Sequence, residues 1–439
     1  MKYYFLGIKG AGMSALALIL NDLGYNVIGY DDAKRHLFTE DNLVNRNIKI
    51  YYDNTAPLDL ETIVIRSSAI KDDHPEMIRV NELGLKVYEY HEMLGRLTNR
   101  FKSITIAGCH GKTTTTAMMS HVINNIKGCN YLIGDGTGYS NKENEYFILE
   151  ACEYRRHFLA YNPEYAIITN IELDHVDYFK DISDVVDAYQ QYANNAKKMV
   201  IACGDDPYTH SLEVKNPIFF YGISEDNDIR ATEIEYRSDG TSFDCIIEGN
   251  YYGHFDLPLY GKHSLLNALA VIGVCYYERL EAKEVSKYLK TFTGAKRRFT
   301  EIKIGDVVTV DDYAHHPTEV SVTIKAARQK YPDKKIIAVF QPHTYSRTKE
   351  FKNELIKALN LADKAYVMDI YGAREKQEDF PGITSNIIID NLNDGAHIKM
   401  SDSDELLKYD NAVIIFMSAN DIYELQRTYE DKLRKKCIE

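Results

Sequence analysis

The chain has 439 residues, 45% hydrophobic and 27% charged, about three times the length of a ~150-residue domain and too apolar for wholesale disorder. Its net charge is −13, and no basic run exceeds Lys296-Arg297-Arg298 or Arg434-Lys435-Lys436, which disfavours nucleic acid and anionic lipid as partners. Seven scattered cysteines without a Cys-x-x-Cys pair give neither a disulfide framework nor a zinc site and fit a reducing, cytoplasmic setting, and no segment approaches the ~18 apolar residues of a membrane span.

Short apolar runs alternate with helix-like stretches from the first residue, the pattern of α/β domains with mainly parallel sheets. Residues 2–6, 26–30 and 62–65 read as strands, with a helix over 12–23 and another over 90–99 closing the first unit. The alternation restarts with a strand at 103–107 and a helix at 112–124, then strands at 146–149, 165–169 and 199–202 and a helix at 183–195. Residues 232–254, with turns at Asp239-Gly240 and Glu248-Gly249-Asn250, read as an antiparallel appendage before a helix at 264–278. A hinge is expected at 291–296. Beyond it, strands at 307–310, 335–339, 364–368 and 412–417 and helices at 317–330 and 349–361 form a third unit.

Gly108-Cys109-His110-Gly111-Lys112-Thr113 stands where a strand passes into a helix. Backbone N–H groups there can cradle phosphates, with Lys112 reaching the terminal phosphate oxygens and the Thr113 hydroxyl reaching Mg²⁺. The loop is two residues shorter than G-x-x-x-x-G-K-[ST], and a bare G-x-x-G-K-T is often an ordinary turn; its strand and helix flanks favour phosphate binding. The first strand-to-helix turn, Gly7 to Gly12, mimics a dinucleotide fingerprint with Asp31 19 residues beyond Gly12. Lys9 stands where that fingerprint has its middle glycine, which argues against NAD while leaving a helix N-terminus suited to a diphosphate. Ser67-Ser68 offers hydroxyl donors or simple helix capping.

Glu150 and His175 follow two further strands, and strand ends share one edge of a parallel sheet, so Lys112, Glu150 and His175 are expected to meet there as a nucleotide-metal site. Taken singly, each is more often a surface carboxylate or a satisfied histidine. Asp311-Asp312-Tyr313-Ala314-His315-His316 and Gln341-Pro342-His343-Thr344-Tyr345-Ser346-Arg347 follow later strands. The adjacent histidines make a weak metal site; a substrate-facing loop pair, with His343 and Arg347 available for a carboxylate, is better motivated.

In order along the chain, GIKGAGMS, SSAI, GCHGKTTTT, EACE, TNIELDH, HSLLNA, KRRF, DDYAHHPTE and QPHTYSRT resemble the Mur ligase family of ATP-dependent amide-forming enzymes of peptidoglycan synthesis, in the branch that joins L-alanine to UDP-N-acetylmuramate. The resemblance covers essentially the whole chain. It implies a three-domain α/β protein: a Rossmann-like N-terminal domain (1–98) for the UDP substrate, a P-loop-type central ATPase domain with a mostly parallel sheet (99–296), and a Rossmann-like C-terminal domain (297–439) for the amino acid.

Carried over by residue, it implies Gly10, Gly12, Ser14, Asp31 and Ser68 for the UDP substrate and Gly108, Cys109, His110, Gly111, Lys112, Thr113, Thr114, Asn267, Arg298 and Asp312 for ATP. Thr113 and Glu150 would hold Mg²⁺, His175 a second metal, and Tyr313, His315, His343 and Arg347 the amino acid. Lys112, Glu150, His175 and Arg298 would carry the chemistry. Ser264 stands where the family often has Asn, Thr344 replaces a common Arg, and Met417-Ser418-Ala419-Asn420-Asp421 replaces a Gly-rich turn. EACEYRR departs from the commoner EADESD and leaves the role of Glu153 open.

The implied reaction is phosphorylation of a carboxylate by ATP, attack of an amine on the acyl phosphate, and release of ADP and phosphate; His315 is a candidate base. The implied partners are small molecules, with no nucleic acid and no membrane insertion, and nothing in the sequence fixes an oligomeric state. Alternatives are a murein tripeptide-recycling ligase of the same family and, outside it, a nucleotide-binding switch or a dinucleotide-dependent reductase.

Overall fold

The computed structural model describes residues 1–420 and 422–437. Five parallel strands, β1 (Lys2–Leu6), β2 (Asn26–Tyr30), β3 (Lys49–Tyr51), β4 (Thr62–Arg66) and β5 (Lys86–Glu89), form the first sheet in the order β3-β2-β1-β4-β5. Successive side chains of a strand point to opposite faces, and both faces here are apolar. Tyr4, Leu6, Ile28 and Val64 pack with Met77 and Val80 of the helix Pro75–Glu82, while Tyr3, Phe5, Val27 and Ile65 pack on the other side. That second core is continuous with Leu132, Phe147, Phe158 and Tyr192 of the following domain. The helix Ala11–Asp22 is pressed so closely onto it that a Cβ at Gly138 would lie 2.1 Å from the Ala15 carbonyl oxygen.

The central sheet has ten strands: β6 (Lys102–Ala107), β7 (Cys129–Ile133), β8 (Thr137–Tyr139), β9 (Tyr146–Glu150), β10 (Tyr165–Ile168), β11 (Met199–Cys203), β12 (Ile218–Gly222), β13 (Ile229–Arg237), β14 (Gly240–Ile247) and β15 (Asn250–Leu257). Their order is β15-β14-β13-β12-β11-β10-β6-β9-β7-β8. The expected antiparallel segment is present and is joined to the main sheet. β13 pairs in parallel with β12, so the β13-β14-β15 ribbon extends the main sheet and shares its core through Phe243, Cys245 and Phe255.

The third sheet contains β16 (Thr300–Ile304), β17 (Val307–Asp312), β18 (Lys335–Phe340), β19 (Lys364–Val367), β20 (Gly395–His397) and β21 (Ala412–Met417) in the order β16-β17-β21-β18-β19-β20. Only β16 runs antiparallel to its neighbour. Its two faces have their own cores, one under the helix Pro317–Lys330 and one under Tyr423–Lys436. The helix expected at 349–361 is two helices, Tyr345–Glu350 and Lys352–Leu359, broken at Phe351, whose ring packs 4.8 Å from that of His316. All seven cysteines are free, and no described helix is long and apolar enough to cross a membrane.

Candidate active site

β10, β6 and β9 are neighbours, so their carboxyl ends deliver Thr169 to His175, the Gly108 turn and Glu150 to Glu153 side by side. The turn requires its glycines. Gly108 has φ +143 and a Cβ there would meet Thr169 Oγ1 at 1.9 Å, while Gly111, at φ +83, begins the helix Lys112–Ile126 with Asn267 Oδ1 2.7 Å from where its Cβ would sit. Asn170 clamps the turn, its Oδ1 accepting the His110 N–H and its Nδ2 donating to the His110 carbonyl, both at 2.9 Å. The Cys109 thiol donates to the Glu172 carbonyl at 3.0 Å, and burial pushes its pKa up, so the sulfur stays protonated and structural.

Lys112 folds back over this turn. Its Nζ donates to the Gly108 carbonyl and lies 3.0 and 3.2 Å from the two carboxylate oxygens of Glu153. Burial opposes the ammonium charge, but Glu153 more than offsets it and holds Lys112 above the usual lysine range. Glu153 is only 2% exposed and also stands 3.5 Å from His175 Nε2. Burial pushes its carboxyl up; Lys112 and His175 win and hold it below the usual range. Lys112 and His175 thus meet at Glu153, the residue whose role the sequence left open, while Glu150 faces Lys112 from the same strand end.

Burial pushes the Glu150 carboxyl up, against the Gly134 N–H at 2.6 Å, the Lys112 charge and the Thr113 hydroxyl. A half-buried carboxylate beside a hydroxyl suits a hard divalent cation, and His175 with Glu153 forms a separate nitrogen and oxygen pair at the neighbouring strand ends.

A cleft of about 590 Å³ opens beside the turn, lined by His110, Gly111, Thr114, Asn267, Arg298 and Asp312 among others. Arg298 is flanked by two left-handed residues, Arg297 (φ +55) and Phe299 (φ +54), a strained backbone at the expected joint. Its Nη1 lies 3.4 Å from Glu319, which, against the effect of burial, keeps the guanidinium firmly charged. Asp312 accepts the Phe299 and Ala314 N–H groups, each at 2.8 Å, so it shapes the joint as well as lining the cleft, and burial pushes it up to about 6. His110 stands between Glu172 (3.3 Å) and Glu319 (3.5 Å). Burial lowers its pKa but the two carboxylates raise it to about 9.

At the first turn, Gly10 leads into the helix and Gly12 passes under Tyr90, whose hydroxyl would be 2.6 Å from a Cβ there. Asp31 accepts the Lys9 and Ala33 N–H groups at 2.8 and 2.9 Å, Ser68 is exposed, and Ser14 is buried with its hydroxyl donating to the Ala11 carbonyl. The side chain of Lys9, at the middle-glycine position, does not enter the turn. It runs inward, fully buried, donating to the Ala33 and Arg35 carbonyls at 2.6 and 2.7 Å and pairing with Glu40 at 2.7 Å.

β17, β21 and β18 are adjacent, which sets the loops after Asp312 and Phe340 together. The Tyr313 ring faces the Arg297 and Arg298 guanidinium groups at 5.2 and 5.3 Å. The rings of His315 and His343 lie 5.5 Å apart. Burial, with His315 and the nearby arginines, pushes His343 down to about 3, a neutral imidazole. Arg347 is buried and crosses to the central domain, its Nε and Nη2 donating to Asp174 Oδ1 at 3.1 and 2.6 Å. In the turn after β21, Ser418 donates to Gln341 at 3.0 Å, and Arg297 braces the Ser418 and Asn420 carbonyls; Asp421 lies outside the described residues.

Residues 2–102 match the Mur ligase family catalytic domain, 106–275 the Mur ligase middle domain, and 297–420 the Mur ligase glutamate ligase domain. The chain belongs to the Mur ligase family. This Mur ligase is an ATP-dependent amide ligase with the three-domain α/β architecture of the family. A UDP-N-acetylmuramate-alanine ligase from Thermotoga maritima is 25% identical, with 99% of this chain and 100% of that chain covered and a TM-score of 0.82. A murein peptide ligase from Psychrobacter arcticus (22% identical, 99% of both chains, TM-score 0.70) shares the fold. So does a MurF ligase from Thermotoga maritima solved in complex with ADP (17% identical, 93% of this chain and 95% of that chain, TM-score 0.64).

Asp174, Glu153, Asn170 and Glu319 were not among the sequence-assigned site residues. Asp174 adjoins His175, and Glu319 sits in the first turn of the helix after His315-His316, but short spacings cannot tell a carboxylate that faces the site from one that faces solvent.

Proposed function

We propose that this Mur ligase joins L-alanine to UDP-N-acetylmuramate, giving UDP-N-acetylmuramoyl-L-alanine, ADP and phosphate, with ATP and Mg²⁺. The observation that carries the reading is the convergence, at three adjacent strand ends of the central sheet, of the loops carrying Lys112, Glu150 with Glu153, and His175. The full-length likeness to a UDP-N-acetylmuramate-alanine ligase supports this substrate choice. We assign domain limits at 1–98, 99–296 and 297–439, and a cytoplasmic setting, which the free cysteines support.

In this reading the first domain holds the UDP substrate at Gly10, Gly12, Asp31 and Ser68, and the cleft holds ATP. A carboxylate approaching the terminal phosphate meets like charge, about 4 kcal/mol for unit charges at ~4 Å and an effective dielectric of ~20. Lys112 and Arg298 offset that repulsion and the charge spread during transfer. Mg²⁺, held by Thr113 and Glu150 with a second ion at His175, would neutralise phosphate charge. The substrate carboxylate takes the phosphoryl group from ATP, releasing ADP. The amine of the amino acid then attacks the acyl carbon, loses a proton, and phosphate leaves. His315 faces this pocket, and burial, outweighing Glu319, lowers its pKa, so the ring is neutral and able to accept that proton.

A murein peptide ligase is the second reading, since such a protein shares the fold over 99% of both chains. Phosphate release with UDP-N-acetylmuramate and, separately, L-alanine, L-serine, glycine and a murein tripeptide tests both. We expect L-alanine to give a product heavier by one alanine residue. Release with the tripeptide alone would favour the second reading, and release with none would reject both.

A further inference from the structure

Any amino acid joined through its amine presents an α-carboxylate, and a buried carboxylate needs a cation or several donors. Near His343 the two positions that the sequence offers are already engaged. Thr344, where the family segment commonly has arginine, is held at φ +65 and its hydroxyl caps the helix Tyr345–Glu350 by accepting the Arg347 N–H at 3.4 Å. Arg347 gives Nε and Nη2 to Asp174 and Nη1 to His343 Nδ1 at 2.9 Å, so every guanidinium nitrogen has a partner.

A third cation reaches the same place from a different loop. The Tyr371 N–H donates to the Pro342 carbonyl at 2.9 Å, the Thr344 N–H donates to the Tyr371 carbonyl at 2.8 Å, and the Tyr371 ring lies 5.9 Å from that of His343. Glu375 accepts the Tyr345 and Ser346 N–H groups at 2.7 and 3.0 Å. The segment between, carrying Arg374, is thus fastened at both ends to the His343 loop. The Arg374 guanidinium sits 4.9 Å from the centre of the Tyr154 ring, which itself lies 4.7 Å from that of His175. Its Nη2 donates to Asp177 at 2.5 Å, and among the described residues neither Nε nor Nη1 has a hydrogen-bond partner. The side chain is 56% exposed, so those donors are accessible.

We infer that Arg374, on the loop beside His343, is the direct partner of the amino acid's α-carboxylate, taking over the charge that position 344 lacks, while Arg347 positions the pocket through Asp174. The inference rests on the ligase reading above. Arg374 is also among the charges that hold His343 neutral, consistent with its standing at the pocket.

The test is amino-acid-dependent phosphate release by the full chain, comparing wild type, Arg374→Ala, Arg374→Lys and the double variant Thr344→Arg/Arg374→Ala, with L-alanine and with L-alaninamide. Arg374→Ala should raise KM for L-alanine at least about tenfold, as for loss of a charge-assisted hydrogen bond, and leave KM for ATP within about twofold. Arg374→Lys should recover part of the loss and Thr344→Arg most of it. L-alaninamide, without the anionic carboxylate, should be used equally by wild type and Arg374→Ala. An active wild type whose KM for L-alanine is unchanged in Arg374→Ala overturns the inference, as does an equal loss with L-alaninamide. A wild type that releases no phosphate with any amino acid overturns the substrate reading, and this inference with it.

Discussion

Lys112 Nζ and Glu153 form an ion pair at 3.0 Å across the ends of two adjacent strands, with the carboxylate almost wholly buried. The ammonium is thereby held charged at the head of the helix before any ligand arrives, as the proposed contact with phosphate would require. Lys112→Ala should lower kcat by about 10²–10³, the loss typical of one preorganised donor, while the Kd for UDP-N-acetylmuramate stays within about threefold. Steady-state phosphate release with titration of the UDP substrate checks this; an undiminished ATP-dependent rate would reject the assignment. Glu153→Gln leaves a buried ammonium without its counter-charge and should cost about 3 kcal/mol of stability, read from urea unfolding.

The Asp174 and Arg347 pair joins the central and C-terminal domains in a buried setting. Burial pushes Asp174 up, but Arg347 and the neighbouring histidines hold its carboxyl far below the usual range. A group with a depressed folded-state pKa contributes stability that is present above its unfolded value of ~3.9 and lost as the pH falls toward the folded one. Melting temperature should therefore fall as the pH drops below about 4. Asp174→Asn should be less stable at pH 7 and show a shallower acid slope; parallel slopes for the two proteins would contradict the role.

His110 gives the opposite sign. Its folded pKa, raised to about 9 by Glu172 and Glu319 against burial, exceeds the unfolded value of ~6.5. Its contribution is complete below ~6.5 and disappears as the pH climbs through about 9. Wild-type melting temperature should decline over that window, and Glu319→Gln should flatten the decline. Identical alkaline profiles would show that the histidine is not held this way.

The first and central domains share one apolar core, whereas Arg347 to Asp174, Thr318 to Glu172 and Arg374 to Asp177 tie the C-terminal domain to the central one through polar groups. Polar interfaces separate more readily than continuous cores. ATP with the UDP substrate should therefore shift the protein toward a more compact form by moving the C-terminal domain alone. Small-angle scattering should show a smaller radius of gyration with both ligands bound, and unchanged profiles would count against closure.

Much of the fold is legible in the sequence. Buried parallel strands read as apolar runs, and the glycines of the Gly108 turn mark a strand passing into a helix because few other residues tolerate φ of +143 or +83. Short edge strands such as β3 and β20 are not legible there, since three residues carry too little periodicity. Nor is the break at Phe351, because it depends on packing against His316.

The α/β class, the restart of the pattern at each unit and the loops that follow strands can all be read along the chain, because they depend on local periodicity and backbone stereochemistry. Which side chains pair across those loops follows from the packed fold. Glu153 rather than solvent faces Lys112, Asp174 engages Arg347, and Lys9 turns away from its own helix terminus. Each depends on strand order and on burial of charge. Both arise when segments distant in the chain are brought into a medium where a charge must find its partner.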